Sequence, residues 1–140
     1  MSIEPNLYDD KKLAEIRANQ EDPLVLYLIV RKSLNMSVGK IAPQCAHASD
    51  MVMLKYFKLL SENPNDERVL IYKTWMEESF RKVVLKADDK EWEKLKIEQH
   101  CFIVRDAGLT EVEAGSETFI GLWPMRKSQR SKLLRRLRVL

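Results

Sequence analysis

The feature that most constrains this chain is an unbroken apolar run over residues 24–30, followed closely by a helix signal. The run reads Leu-Val-Leu-Tyr-Leu-Ile-Val, without polar alternation, which is typical of a strand that is covered on both faces. A turn that holds Ser37 and Gly39 comes next, and apolar residues then recur with helical spacing. The pattern predicts a central strand that leads through this turn into a long helix over about 40–61.

Strand and helix signals alternate along the rest of the chain. A turn signal precedes a predicted helix over about 66–79, and Asp88 with Glu91 forms the capping box of a further helix. Because strands separated by helices imply crossover connections, we expect a single α/β domain. Its sheet is predicted to be mixed and mostly parallel, with about four strands and helices on both faces. The predicted strands cover residues 24–31, 82–87, 101–105 and 117–123.

Composition narrows the class of protein. At 140 residues the chain is long enough for one domain with a substantial core. The two cysteines, Cys45 and Cys101, form neither a disulfide framework nor a metal-binding set. No apolar run is long enough to span a bilayer, and the first residues lack the form of a signal peptide. We therefore expect a cytosolic protein that has free thiols and no membrane partner.

The charged residues are distributed unevenly between the two ends of the chain. Residues 1–23 carry six acids and are predicted to form an arm or short helix beside a domain over 24–140. Residues 126–140 carry seven bases and no acid, and Ser128 is predicted to cap a last basic helix. Such a one-sign segment is either a binding surface for phosphates or a solvated helix face, and the sequence leaves both readings open.

Lys40 and Gln44 are the first candidates for chemistry. They are four residues apart, so they share one helix face near its amino end, where unpaired N–H groups favour an anion or a carbonyl oxygen. Asp106 ends the third predicted strand, and the carboxyl ends of parallel strands meet at one edge of a sheet. We therefore predict that Lys40 and Asp106 converge on a shared cleft.

Cys45 and His47 do not form a nucleophile–base pair in this prediction. Residues two apart on a helix point to nearly opposite sides, so Cys45 is predicted to be a buried, inert thiol. Without further information, the residue types favour structural roles: Asp106 as a loop aspartate that caps backbone N–H groups, and Lys40 as a solvated lysine in the first turn of a helix. From composition and spacing we predict only an α/β domain with a lysine–amide helix start and a basic tail.

The same residues resemble the type II peptidyl-tRNA hydrolase family over roughly residues 24 to 123. The resemblance includes the glycine–lysine helix start with its glutamine and His-Ala pair, and a diagnostic loop that begins Arg-Asp-Ala-Gly. These segments occur in the order found in the family: residues 28–31, 34–48, 82–86, 105–112 and 115–116.

The resemblance implies an enzyme that hydrolyses the ester between a peptide and the 3′ ribose of tRNA, without a metal or an organic cofactor. It implies peptidyl-tRNA as the partner. The catalytic residues that it implies are Lys40, Gln44, Asp106 and Thr110. The substrate-binding residue that it implies is Ser116. To this we add His47, which lines the site or is a structural helix histidine, and the tail bases Arg126, Lys127 and Arg130.

The chain departs from the family pattern in the turn before the long helix and in the last strand. Asn35 and Val38 stand where the family usually has lysines, Pro43 where alanine is usual, and Ser116 where threonine is usual. These departures leave two alternatives to an active hydrolase. One is a non-catalytic RNA-binding or protein-binding member of the same fold. The other makes the acidic arm and the basic tail an assembly device that pairs within the chain or across a homodimer.

Overall fold

A computed structural model of the chain describes residues 9–98 and 100–140. The first eight residues of the predicted arm lie outside this range. Five α-helices flank one sheet: α1 (Asp10–Ala18), α2 (Val38–Glu62), α3 (Glu67–Glu78), α4 (Asp89–Glu98) and α5 (Lys132–Arg136). The strands are β1 (Leu24–Arg31), β2 (Lys82–Ala87), β3 (Cys101–Arg105), β4 (Glu117–Leu122), β5 (Met125–Arg126) and β6 (Arg138–Val139).

The sheet is mixed, with the strand order β3-β4-β1-β2-β6, and β5 pairs with the start of β1. Among the strands in the described part of the chain, only β1 and β2 are parallel neighbours, so the prediction of a mostly parallel sheet is wrong in this detail. The chain returns from β3 through a loop instead of a helix, and β4 enters the sheet antiparallel between β3 and β1. The strands β1, β2 and β3 still run in one direction, as crossover helices require.

Both faces of β1 are buried, as its unbroken apolar sequence predicts. Alternate residues of the strand enter two cores. Leu24, Leu26, Leu28 and Val30 pack beneath α2 and α3. The intervening residues belong to the second core, which lies beneath α4 and α5. The prediction of one α/β domain with helices on both faces is thereby confirmed.

The long helix α2 begins at the carboxyl end of β1 and runs back across the sheet. Its N-cap residue is Ser37, and Pro43 lies in the second turn of the helix. Proline lacks an N–H, so it cannot donate to the carbonyl group of Gly39. Within residues 9–98 and 100–140, no helix is long and apolar enough to cross a membrane.

The basic tail does not form the single helix that the sequence predicts. Ser128 is not a helix cap, because its N–H and hydroxyl donate to the Asp22 carboxylate, at 2.9 and 2.7 Å. The cap of α5 is Ser131, whose hydroxyl accepts from the N–H of Leu134. The chain then turns into the short strand β6. The tail is therefore divided between β5 at one edge of the sheet and β6 at the other.

Close packing of α2 on β4 depends on Gly121. A Cβ atom at this position would lie 3.0 Å from the carbonyl oxygen of Ala48 and 3.0 Å from Cγ2 of Val52. Both of these residues are fully buried in α2, and Gly121 itself is paired with Leu28 across the sheet. The missing side chain therefore sets the separation between the helix and the sheet.

We expect Gly121→Val to destabilise the protein by about 1–3 kcal/mol, because the added methyl groups overpack this contact. The measurement is the urea midpoint of unfolding. Gly39→Ala is the matched control, since a Cβ atom there meets only the hydroxyl of Ser37 at 3.9 Å. Alanine is also the better helix former, so the control should lose no stability. Equal midpoints for the native chain and Gly121→Val would contradict the packing argument.

Candidate active site

Three buried polar side chains meet at the edge of the sheet where β1 and β3 end. Lys40 and Gln44 project from the first turns of α2, which follows β1, and Asp106 directly follows β3. Their exposed fractions are 9%, 4% and 9%. Lysine and aspartate are rarely buried unless they are paired. A buried group of charged and polar side chains is therefore unusual beside an apolar core.

The carboxylate of Asp106 is the centre of the cluster. Its Oδ1 accepts from Lys40 Nζ at 2.8 Å and from Gln44 Nε2 at 3.1 Å. Its Oδ2 accepts from the backbone N–H of Gly108 at 2.7 Å. Lys40 and Asp106 therefore converge as the strand directions predict. The first of these bonds, the one from Lys40, makes the largest contribution to holding the pKa of Asp106 below its ordinary value.

Gly108 is required by the shape of the loop that follows Asp106. Its φ is +78°, and a Cβ atom there would lie 2.4 Å from the backbone nitrogen of Ala114. Backbone bonds between Asp106 and both Gly115 and Ser116 close the base of the loop. The glycine therefore allows the tight turn that aims its own N–H at the carboxylate.

Thr118 completes the cluster and was missed in the sequence analysis. It is fully buried, and its hydroxyl donates to Gln44 Oε1 at 2.5 Å. Strand alternation places residue 118 on the α4 side of the sheet, with Ile120 and Leu122. A bulge changes this, because β3 pairs Val104 with Phe119 and the next residue with Glu117, so Thr118 is left out of the ladder. No signal in the sequence marks the bulge.

The amino end of α2 already holds an anion from the protein itself. The Glu111 carboxylate accepts from the N–H of Ser37 at 2.9 Å and from its hydroxyl at 2.5 Å. These two bonds lower the pKa of Glu111, so it stays ionised at neutral pH. The contact fastens the loop after Asp106 to the start of the helix. Sequence reasoning assigned Glu111 no role, although it lies in the diagnostic loop.

An open cleft of about 460 Å³ lies against Lys40, Gln44 and Asp106. Exposed residues that form its rim include His47, Arg105, Leu109 and Thr110. The structure thus brings the predicted residues His47 and Thr110 to the cleft. Arg105, which sequence reasoning did not select, adds a cation to the same rim.

The remaining predicted site residues lie elsewhere. Ser116 is half-buried beside the base of the loop, and its carbonyl group accepts from the N–H of Asp106. Arg126, in β5, pairs with the start of β1 and donates to the Glu78 carboxylate at 2.9 Å. Lys127 and Arg130 follow it. Since the eight residues of β1 span roughly 25 Å, these three bases lie at the edge of the sheet opposite the cleft.

The prediction of an inert Cys45 agrees with its packing. Cys45 is half-buried and not fully buried as predicted, and it packs against the core beneath α2. This burial raises the pKa of its thiol, so the thiol stays protonated at neutral pH. Among residues 9–98 and 100–140, no three His, Cys, Asp or Glu side chains are grouped so that they could hold a metal ion.

Fold and cleft together define an α/β protein with a lysine–carboxylate–amide cluster at the carboxyl edge of its sheet. The family model for peptidyl-tRNA hydrolase PTH2 matches residues 24–140. The chain is 39% identical over 109 residues to a peptidyl-tRNA hydrolase of Methanopyrus kandleri, which covers 73% of this chain and 85% of the relative. It is 34% identical over 120 residues to one of Methanococcus maripaludis, which covers 81% and 96%.

Similarity extends to a eukaryotic relative. Peptidyl-tRNA hydrolase 2 of Saccharomyces cerevisiae is 31% identical over 109 residues, which are 72% of this chain and 50% of the yeast protein. The chain therefore belongs to the PTH2 family of peptidyl-tRNA hydrolases.

We expect Thr118→Val to lower the free energy of unfolding by about 1–3 kcal/mol, because Gln44 Oε1 would be left as a buried acceptor without a donor. Valine matches threonine in shape, so packing changes little. Urea unfolding measures the effect. Thr118→Ser keeps the hydroxyl and should recover much of the loss. A serine variant no more stable than the valine variant would show that the bond to Gln44 is not the cause.

The lowered pKa of Asp106 predicts a pH-dependent stability. A carboxylate whose pKa is lower in the folded than in the unfolded chain stabilises the folded state. This contribution is complete above pH 3.8, the ordinary pKa of aspartate, and is lost as the pH falls through the pKa of the folded chain. We therefore expect Asp106→Asn to be less stable than the native chain at pH 7. The difference between their urea midpoints should shrink below pH 3.8. A difference that is constant down to pH 2 would contradict the assignment.

Proposed function

We propose that this protein hydrolyses the ester bond between the peptide and the 3′ ribose of peptidyl-tRNA. The observation that carries the proposal is the buried cluster of Lys40, Gln44 and Asp106 at an open cleft, in a chain that belongs to the PTH2 family. The reaction releases the peptide as a carboxylic acid and frees the tRNA. It needs a positioned water molecule and a donor for the oxyanion that develops on the ester carbonyl oxygen.

Asp106 is the residue that we propose to hold the attacking water. Its carboxylate accepts three hydrogen bonds from the protein, and an oxygen atom has room for more than one. The low pKa of Asp106 makes it a weak base. It therefore orients the water and stabilises positive charge that develops on it, and full proton abstraction is the lesser part of its role.

Lys40 and Gln44 supply the donors for the oxyanion. Lys40 Nζ carries three N–H groups, and only one is directed at Asp106 Oδ1. The other two are available to a ligand in the cleft that Lys40 lines, where a positive charge held by the protein stabilises a developing anion. Thr118 fixes the amide of Gln44, so its Nε2 and not its Oε1 is directed toward the reacting centre.

The sequence suggests that the N–H groups at the start of α2 bind an anion or a carbonyl oxygen. We propose a smaller role for them, because the Glu111 carboxylate already accepts from the N–H of Ser37. Thr110 and His47 on the rim are placed to contact the substrate. We propose that the Thr110 hydroxyl and the His47 ring bind the ribose and the ends of the scissile ester. Ser116 acts through the backbone of Asp106.

Other features of the chain stay proposals. We propose that residues 1–23 form an arm separate from the domain at 24–140, that the reaction needs no metal or organic cofactor, and that the protein is cytosolic. Within the chain, the end of the arm does contact the tail, since Asp22 accepts from Ser128 and the carbonyl group of Pro23 accepts from Lys127. A homodimer held by these segments stays a prediction.

Release of an N-blocked amino acid from its tRNA by the purified protein tests the proposal. We expect Asp106→Asn and Lys40→Met each to lower kcat about 100-fold or more, because each removes a group that acts on the transition state. Asp10→Asn and Lys58→Met are matched controls. They make the same chemical changes at exposed positions in α1 and the last third of α2.

The outcomes separate the two candidate functions. Undiminished turnover in both cleft variants, with folding retained, would reject the assignment of the site. Salt-sensitive tRNA binding by the native chain without any turnover would instead support a non-catalytic RNA-binding protein.

A further inference from the structure

A second cluster of charged residues lies at the same edge of the sheet as the cleft. It surrounds a shallow pocket of about 240 Å³. Lys32 follows the end of β1, Lys86 is near the end of β2, Arg136 ends α5, and Arg138 begins β6. We refer to these four residues as the edge patch. All are exposed except Lys86, which is half-buried.

The edge patch has an excess of positive charge. The pocket is also lined by Asp88 and Glu91, but these acids cap α4. Each accepts from the backbone N–H of the other, at 2.8 and 3.0 Å. The adjacent Asp89 pairs with Arg31. Across residues 9–98 and 100–140, none of the four patch cations forms a salt bridge within 4.0 Å, so the patch keeps an excess of positive charge.

Within the patch, two like charges lie directly opposite each other. Lys86 in β2 is the antiparallel register partner of Arg138 in β6. Like charges in this position destabilise a strand pair. An opposite charge on one side would have relieved the repulsion at no cost to the fold. A bound anion relieves it equally well, so the pairing favours a surface that meets an anionic ligand.

The arrangement of the patch residues favours binding of several linked phosphate groups over binding of a single phosphate ion. Lys32, Lys86 and Arg138 lie at the same end of three adjacent strands, which are about 4.8 Å apart, so the charges form a row along the sheet edge. Lysine and arginine neutralise the phosphates of a nucleic-acid backbone, and a row of such cations suits a chain of phosphates. Arginine also forms paired hydrogen bonds with phosphate oxygens.

The patch also has the right position relative to the cleft. Lys86 is the register partner of Val30, whose side chain packs beneath α2, so Lys86 and Arg138 project on the face of the sheet that carries α2. Arg136 ends α5, which packs on the opposite face, so the patch reaches around the edge of the sheet. In the strand order, β1 lies two strands from β3 and β6 lies four, so the patch extends from roughly 10 to 20 Å from the end of β3.

From these observations we infer that the edge patch of Lys32, Lys86, Arg136 and Arg138 binds the phosphate backbone of the tRNA whose terminal ester lies in the cleft. The identity of the RNA rests on the proposed function. The inference moves the RNA contacts of the tail from Arg126, Lys127 and Arg130, at the opposite edge, to its last residues. The patch binds substrate and takes no part in the chemistry.

The test is a triple variant of the exposed patch residues, Lys32→Gln, Arg136→Gln and Arg138→Gln. Affinity for deacylated tRNA is measured by fluorescence anisotropy from 50 to 200 mM salt. Each lost phosphate contact lowers the slope of log K against log salt by about 0.7–0.9, so we expect a slope shallower by about 2. The matched control is Lys11→Gln, Lys58→Gln and Lys73→Gln, which removes the same charge from exposed helix positions and should leave the slope unchanged.

Steady-state hydrolysis kinetics distinguish a failure of this inference from a failure of the proposed function. On peptidyl-tRNA we expect the triple variant to show KM raised on the order of tenfold with kcat unchanged. On an N-acetylaminoacyl ester of adenosine, which lacks the tRNA body, it should match the native chain. If the native chain hydrolyses neither substrate but its tRNA affinity still depends on the patch, the proposed function fails and the inference stands.

Three results would overturn the inference. One is an unchanged affinity and salt slope in a folded triple variant. The second is a larger loss of tRNA affinity in Lys127→Glu with Arg130→Glu, which would return the contacts to the opposite edge. The third is unchanged tRNA binding with lost binding to phosphatidylserine vesicles, which would assign the patch to a membrane surface.

Discussion

The ion pair between Lys40 and Asp106 joins two segments of the chain that lie 66 residues apart. Removing two charges from water is costly, and the pair is tolerated only because Gln44 and the N–H of Gly108 complete its hydrogen bonds. These partners in turn depend on Thr118 and on the close contact of α2 with β4. The contacts that pack α2 against the sheet therefore also hold the polar side chains of the cleft in place.

Sequence reasoning located this pair, but it found neither the order of the strands nor Thr118 beside Gln44. An apolar strand that leads into a helix, and an aspartate that ends a later strand, suffice to place Lys40 and Asp106 at one edge, because β1 and β3 do run in one direction. The order of the strands could not be predicted, since a loop of residues 107–115 fits several pairings. Thr118 could not be found either, because a bulge reverses the side to which period-two alternation assigns it.

The tail shows a similar limit. Its bases form one run in sequence, and their composition indicates a phosphate surface without indicating where it lies. The fold separates them, because β5 pairs with the beginning of β1 while β6 pairs with the end of β2. Bases only a few residues apart thus lie at opposite edges of the sheet. A charge run therefore reports on a binding surface only after the strand pairing around it is known.

The loop between Asp106 and Ser116 is fastened at three places: by backbone bonds at its base, by Gly108 to the Asp106 carboxylate, and by Glu111 to Ser37. A loop held in this way has little conformational freedom left to lose. The entropic cost of ordering this loop arises during folding and not when a ligand binds, so the cleft is preorganised. Affinity gained through such rigidity comes with a corresponding intolerance of ligands whose shape differs from that of the cleft.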